Sequence, residues 1–323
     1  MKDFCIFARR LNNHTSYLIH HTSYINFTLQ YIKEMSHKIG VLIIHGIGNQ
    51  MPSYANNFIK DIQAKLEHFE INPEFVKIVP ATWSHEVQAA EEELWRNVTQ
   101  KDPLNFNKLR KFMISYFGDA VAYAGTPNKS NGMYYKIHEN LHETIQKLRV
   151  DLGGADKPLI IIAHSFGSVI ATDYIWDRQQ LDKDDSPDNM ADNDFEKMRT
   201  LNGFFTFGSN IPLFTLGYHP LQAIQFPPTH LPENHKKRAK WYNFYDVDDV
   251  LGFPLKSLSD SYNEMVSDDV QVNVGNWLES WNPLCHFGYW KDEDCLNAIA
   301  DFIADLMNAI DGKKEKVKDK IKE

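Results

Sequence analysis

Disulfide-forming capacity is nearly absent: three cysteines (Cys5, Cys285, Cys295) in 323 residues are too few for a bridged framework and lack zinc-site spacing. Reduced thiols in a soluble, cytoplasmic protein are the expectation. No run approaches the ~18 apolar residues that would cross a bilayer, so stable membrane insertion is not expected. Positive charge is in deficit, with 34 Lys and Arg against 43 Asp and Glu and a net charge of -9. That balance argues against a nucleic-acid partner. Internal repeats and Gly/Pro-rich linkers are also lacking, which favours one elaborated domain over two. What is present, 43% hydrophobic and 24% charged residues, is ordinary for a globular chain and excludes collagen-like and wholly disordered classes.

The expected organisation is an irregular extension over residues 1–36, a main domain over 37–312 and a charged tail over 313–323. The extension carries His14, His20 and His21 without periodicity or a signal-peptide core; Arg9 and Arg10 give it a faint transit-peptide character, and Met35 is an alternative start. The tail has six Lys and three acids in eleven residues and reads as a frayed, solvated helix.

Within the main domain, Val41–Ile44 is a continuous apolar run that stops at His45-Gly46-Ile47-Gly48, as a buried parallel strand does. Further strands are expected at Phe75–Pro80, Pro158–Ile162, Phe204–Phe207 and Trp241–Tyr245, with an edge strand around Val270, Val272 and Val274. Helical patterns over Asn56–Phe69, Tyr134–Val150, Ser168–Gln180 and Leu296–Ile310 separate them. Such alternation predicts an α/β fold with a mainly parallel central sheet and helices on both faces. Two segments read as additions. Residues 84–125 form an aromatic-rich helical insertion before the strand at Pro158, either a cap over a site or an outer packing layer. Residues 181–199, with seven acids, read as a solvated loop.

The sharpest local signal is Ala163-His164-Ser165-Phe166-Gly167 between an apolar strand and a helix. A strand that turns sharply into a helix needs small residues two positions either side of the turn residue, and it presents that residue at the carboxyl end of the sheet. Ser165 is therefore the candidate nucleophile; a serine that merely caps the following helix is the plainer reading. A serine nucleophile needs a base and an acid to orient it, in chain order Ser, Asp or Glu, His. Only one histidine, His286, follows residue 249. It sits between the last strand and the last helix. Asp246, Asp248 and Asp249 compete for the acid, with Asp249 preferred because apolar residues and Pro254 follow it. The amide of Phe166 is one candidate oxyanion donor, and the loop after the first strand supplies the other, Ile47 or else Gly46. His45 and Gly46 are candidate substrate-lining residues, although His45 reads more simply as a brace for its loop.

These segments together resemble the α/β-hydrolase superfamily over residues 41–310. More narrowly they resemble a lipase/esterase-like branch in which Ala replaces the first glycine of the elbow, a Tyr-Asn-Phe-Tyr-Asp segment precedes the acid, and a Tyr-Trp pair follows the histidine. The resemblance implies hydrolysis of a small-molecule carboxylic ester or thioester by Ser165, Asp249 and His286, without cofactor. Two other classes compete. His138-Glu139-Asn140-Leu141-His142 satisfies the H-E-x-x-H pattern of zinc peptidases, but no third ligand follows at a suitable spacing. A binding protein that keeps the fold without turnover is the other. The sequence carries no reading of oligomeric state.

Overall fold

The computed structural model describes residues 37–312 apart from 48–50, 101–103, 125–131, 184–192, 218–219 and 275–284. The expected extension and charged tail therefore lie outside the described residues. The chain splits into two units, Met1–His37 and Lys38–Glu323, and the fold below is that of the second.

In chain order the elements are β1 (Ile39–Ile44), α1 (Asn56–His68), β2 (Val76–Ala81), α2 (His85–Thr99), α3 (Asn107–Ala124), α4 (Met133–Leu152), β3 (Leu159–His164), α5 (Phe166–Lys183), β4 (Leu201–Phe207), α6 (Ile211–Phe214), α7 (Glu233–Lys236), β5 (Lys240–Tyr245), α8 (Asp260–Met265), β6 (Asp268–Gln271) and α9 (Glu293–Ile310). The six strands form one sheet in the order β2-β1-β3-β4-β5-β6, and every neighbouring pair is parallel. The architecture is α/β, with helices on both faces and a helical insertion, α2 and α3, before β3.

Period-two alternation divides the strand side chains between two cores. Leu42, Ile44, Ile161, Ala163 and Phe204 join one cluster, which α4 and α5 cover with Ile137, Leu141, Ile145, Leu148, Val169 and Ile170. Val41, Ile43, Ile160, Ile162 and Phe205 join the other, which α1 and α9 cover with Phe58, Ile62, Ile299 and Ile303. Both faces of β1, β3 and β4 are thus buried, which is why these strands read as unbroken apolar runs. Helix α4 stops at Gly153, whose φ of +71° is the left-handed conformation of a helix C-cap. Helix α9 begins where the Asp292 side chain accepts a hydrogen bond from the Cys295 amide at 3.0 Å.

One expectation needs correcting. The segment 181–199 is not solvated throughout: Phe195 and Met198 lie in the core, and Glu196 is buried. Arg149 Nε donates to its carboxylate at 2.7 Å. Two apolar residues three positions apart suffice to dock residues 193–199, whatever the acidity of the whole segment. The edge strand is also shorter than its valine pattern suggested. Val272 and Val274 lie beyond it, although the Val272 amide still donates to Tyr245 O at 2.9 Å. No helix among the described residues is long and apolar enough to cross a membrane.

Candidate functional site

The carboxyl ends of β1, β3 and β4 lie side by side. Register pairs Ile44 with Ala163 and His164 with Phe207, so His45, Ser165 and Gly208 each stand one residue past a strand end. Ser165 is buried and holds φ at +54°, a left-handed conformation that costs an ordinary L-residue about 1–2 kcal/mol. Its amide donates to Phe207 O at 2.9 Å, locking the turn to the neighbouring strand. The small residue at 167 has a visible cause. A Cβ at Gly167 would collide with the His45 carbonyl oxygen and lie 2.7 Å from that of Ile44. A strained turn held this tightly is a pattern associated with functional sites.

His286 lies in a short 3₁₀ segment, Cys285–Lys291, ahead of α9. Its Nδ1 donates to Asp249 Oδ2 at 2.8 Å; both residues are buried. Of the three competing aspartates, Asp249 alone makes this bond. The Asp246 carboxylate instead accepts from the amides of Asp248, at 2.9 Å, and Val274, at 2.7 Å. Asp248 is exposed. Burial opposes charge on Asp249. Even so, the hydrogen bond and charge of His286 outweigh it, helped by the Leu251 amide and the Tyr289 hydroxyl, and hold the carboxyl below its ordinary value. Tyr289 donates its hydroxyl to Asp249 Oδ2 at 2.8 Å and accepts from the Asp246 amide at 3.0 Å. Gly208, at φ +50°, allows the packing: a Cβ there would lie 3.0 Å from both Asp249 Oδ2 and His286 Cε1.

With Nδ1 donating to a carboxylate, the neutral His286 ring carries its lone pair on Nε2. That atom is buried and has no hydrogen-bond partner among the described residues. A ring oriented on one side and bare on the other can accept a proton from a hydroxyl brought to it.

His164 plays a part that its position in the sequence did not announce. Its Nε2 donates to the His286 carbonyl at 2.6 Å, and the two rings stand 4.8 Å apart. Burial, reinforced by the charge of His286, lowers its pKa to about 3, so the ring is neutral. The residue preceding Ser165 therefore tethers the segment that carries His286.

The loop after β1 closes the other side. A Cβ on Gly46 would stand 2.7 Å from the Ser165 Cβ, which places this backbone directly against the turn. His45 is buried and stacks on Trp83 at 5.0 Å. Its Nδ1 donates to the Gly46 carbonyl at 2.6 Å, and burial lowers its pKa to about 4. Those contacts fit the bracing role, yet its Nε2 is left buried and unpartnered. The amides of Ile47 and Phe166 donate to no backbone group among the described residues. The Phe166 amide also opens α5, where the free N–H groups of a first helical turn favour negative charge. Gly48 lies outside the described residues.

The H-E-x-x-H pattern is built differently. His138 Nε2 is 2.8 Å from the Tyr123 hydroxyl, and its Nδ1 is 3.3 Å from Asp177. His142 meets the Tyr174 hydroxyl at 2.8 Å and Gln146 at 3.1 Å, and Glu139 is exposed. Both histidines thus spend their ring nitrogens inside the fold. A cavity of about 500 Å³ lies between α2 and α3, lined by Leu94, Trp95, Val98, Phe106 and Leu109 among others. Its lining includes neither Ser165 nor His286, so the chemistry above, rather than the cavity, locates the site. The insertion's base does reach the turn: Trp83 and Tyr123 meet the Phe166 ring edge-on at 5.8 and 5.3 Å. No protein-family model matches the chain, and no curated protein matches it significantly.

Proposed function

We propose that this protein is a serine hydrolase of α/β-hydrolase architecture that cleaves a small-molecule carboxylic ester or thioester. The observation that carries the reading is the His286–Asp249 pair. One ring nitrogen is fixed at 2.8 Å by a carboxylate and the other is bare, and the His286 carbonyl is bonded by His164, the residue before Ser165 in its strained strand-to-helix turn. The sequence resemblance stated above points the same way.

In this mechanism Ser165 Oγ attacks the acyl carbonyl while its proton passes to His286 Nε2. Asp249 holds the tautomer and stabilises the imidazolium. The amides of Phe166 and Ile47 receive the developing oxyanion. The bond to the leaving alcohol or thiol then breaks, and that group takes the proton from His286. Water, deprotonated by the same ring, cleaves the acyl-enzyme and restores Ser165. Each step uses only side chains and amides of this chain. Cytoplasmic residence belongs to the same proposal, and the free, buried Cys295 thiol suits a reducing compartment.

A fluorophosphonate probe tests the reading. The folded protein is expected to label on Ser165, and Ser165→Ala is expected not to label. Absent labelling of the wild type, or labelling that survives the substitution, overturns it.

A further inference from the structure

Helices α2 and α3 enclose two grooves that differ in kind. Trp95 of α2 and Ile114 of α3 line both and form the wall between them. On one side of that wall Glu91, Glu92, Arg96 and Lys111 share a polar groove, two acids against two cations. On the other lies the cavity of about 500 Å³, where Leu94 and Val98 stand opposite Leu104, Phe106, Leu109 and Met113. All of these but Leu104 are exposed, so the cavity opens to solvent. Spacing explains the division. Leu94 and Val98 share one face of α2, and Leu109 and Met113 share one face of α3, each pair four residues apart. Lys111 and Ser115, also four apart, take the other groove.

One charged side chain lines the apolar groove, Arg110, and no acid lines it. Arg110 Nε donates to the Asn105 carbonyl at 2.9 Å. That bond orients the guanidinium plane and leaves Nη1 and Nη2 without a hydrogen bond or ion pair among the described residues. The matching ligand has a long apolar body and a single anionic end. About 500 Å³ falls within the ~300–1,000 Å³ of small-molecule sites, which are mostly apolar with a few placed polar groups. A guanidinium fork accepts a carboxylate through paired charge-assisted hydrogen bonds. A second copy of the chain matches less well, because a two-fold contact sets the same groove against itself and offers Arg110 no acid.

We propose that the groove between α2 and α3 binds a long-chain carboxylate, its hydrocarbon chain among Leu94, Val98, Leu109 and Met113 and its head group on Arg110. The lining includes neither Ser165 nor His286. The site is therefore separate from the hydrolase chemistry and does not depend on that reading.

The test titrates sodium dodecanoate, below its micelle-forming concentration, into the full-length protein and follows the heat. One equivalent is expected to bind per chain. Butanoate, the same head group without the chain, and decyl maltoside, a chain with an uncharged head, are each expected to bind at least about tenfold more weakly. Arg110→Gln is expected to weaken dodecanoate binding about five- to tenfold. Val98→Glu, which sets an anion beside the chain, is expected to weaken it about tenfold or more. Both side chains are exposed, so melting temperatures are expected to stay within about 2 °C of wild type. If Arg110→Gln fails to fold, Val98→Glu decides.

Absence of saturable binding, unchanged affinity in either folded variant, or decyl maltoside binding as tightly as dodecanoate would each overturn the proposal. So would a wild-type dimer in sedimentation that Val98→Glu dissociates, since a second copy then fills the groove. Fluorophosphonate labelling of Ser165 is expected to leave dodecanoate binding unchanged. Binding lost on labelling would place the carboxylate at the reactive serine and overturn the proposal. Protein that does not label loses the hydrolase reading alone, and the two groove variants still decide this one.

Discussion

The elbow around Ser165 and the α2–α3 insertion break the ordinary rule of burial in opposite directions. At the elbow, polar atoms of His45, Asn210 and His286 are buried without partners among the described residues. In the insertion, large apolar side chains are exposed: Phe106 at 78%, Val121 at 68% and Leu109 at 59%. Buried polar atoms without partners destabilise a fold by about 1–3 kcal/mol each, so the elbow carries a share of the molecule's cost. Isolated exposed apolar groups are common on protein surfaces. Here Leu109, Met113, Phe117 and Val121 recur at intervals of four along α3, with Phe106 just ahead of it, making a stripe. The contrast suggests what each region tolerates. Substitutions at the elbow should disturb chemistry, and substitutions on the stripe should leave the fold alone.

The largest effect is expected at Ser165 itself. Ser165→Ala should lower kcat on a p-nitrophenyl ester by roughly a thousandfold or more, with the melting temperature little changed because both residues suffer the same backbone strain. A comparable rate with the alanine variant would refute the comparison at its centre. Next comes His164, a positioning residue. His164→Ala should reduce kcat about ten- to a hundredfold with KM nearly unchanged, and His164→Gln, which keeps a donor for the His286 carbonyl, should recover most of that loss. Equal kinetics for the two variants would mean that the tether does not act on catalysis.

A third effect concerns packing. Gly167→Ala drives a Cβ against the His45 carbonyl, and urea unfolding should show a loss of about 1–3 kcal/mol, the scale of an overpacked core. The pH dependence follows from His45 and His164, with folded pKa values of about 4 and about 3. Both lie below the usual 6.5 of the unfolded chain, so their neutral, folded state is fully stable above that pH. As pH falls below about 6.5, the unfolded chain takes up the protons first. Stability should then drop by about 1.4 kcal/mol per pH unit for each histidine until its folded pKa is reached. Replacing His164 by Gln should flatten this profile by about one proton. The smallest effect is expected on the stripe. Leu109→Lys and Val121→Lys should shift stability by no more than about 0.5 kcal/mol, and a larger loss would show that the stripe packs against something.

Much of the architecture was legible because buried parallel strands leave unbroken apolar runs. Val41–Ile44 and Pro158–Ile162 differ from the structural strands only at their ends. The Asp249–His286 pairing was legible through chain order and elimination. The role of His164 was not, because its partner is a backbone carbonyl 122 residues away and any residue type can supply one. The docking of residues 193–199 was masked by their acidity, although Phe195 and Met198 carried the signal.

Val274 and Gly288 meet backbone to backbone, so closely that a Cβ on Gly288 would strike the Val274 carbonyl. His286, two residues before Gly288, is secured in the same segment by the bond from His164 to its carbonyl. The base is therefore held from three sides: by the close approach of Gly288 to Val274, by His164 at its carbonyl and by Asp249 at its ring, so that a change at any one of the three reaches the ring.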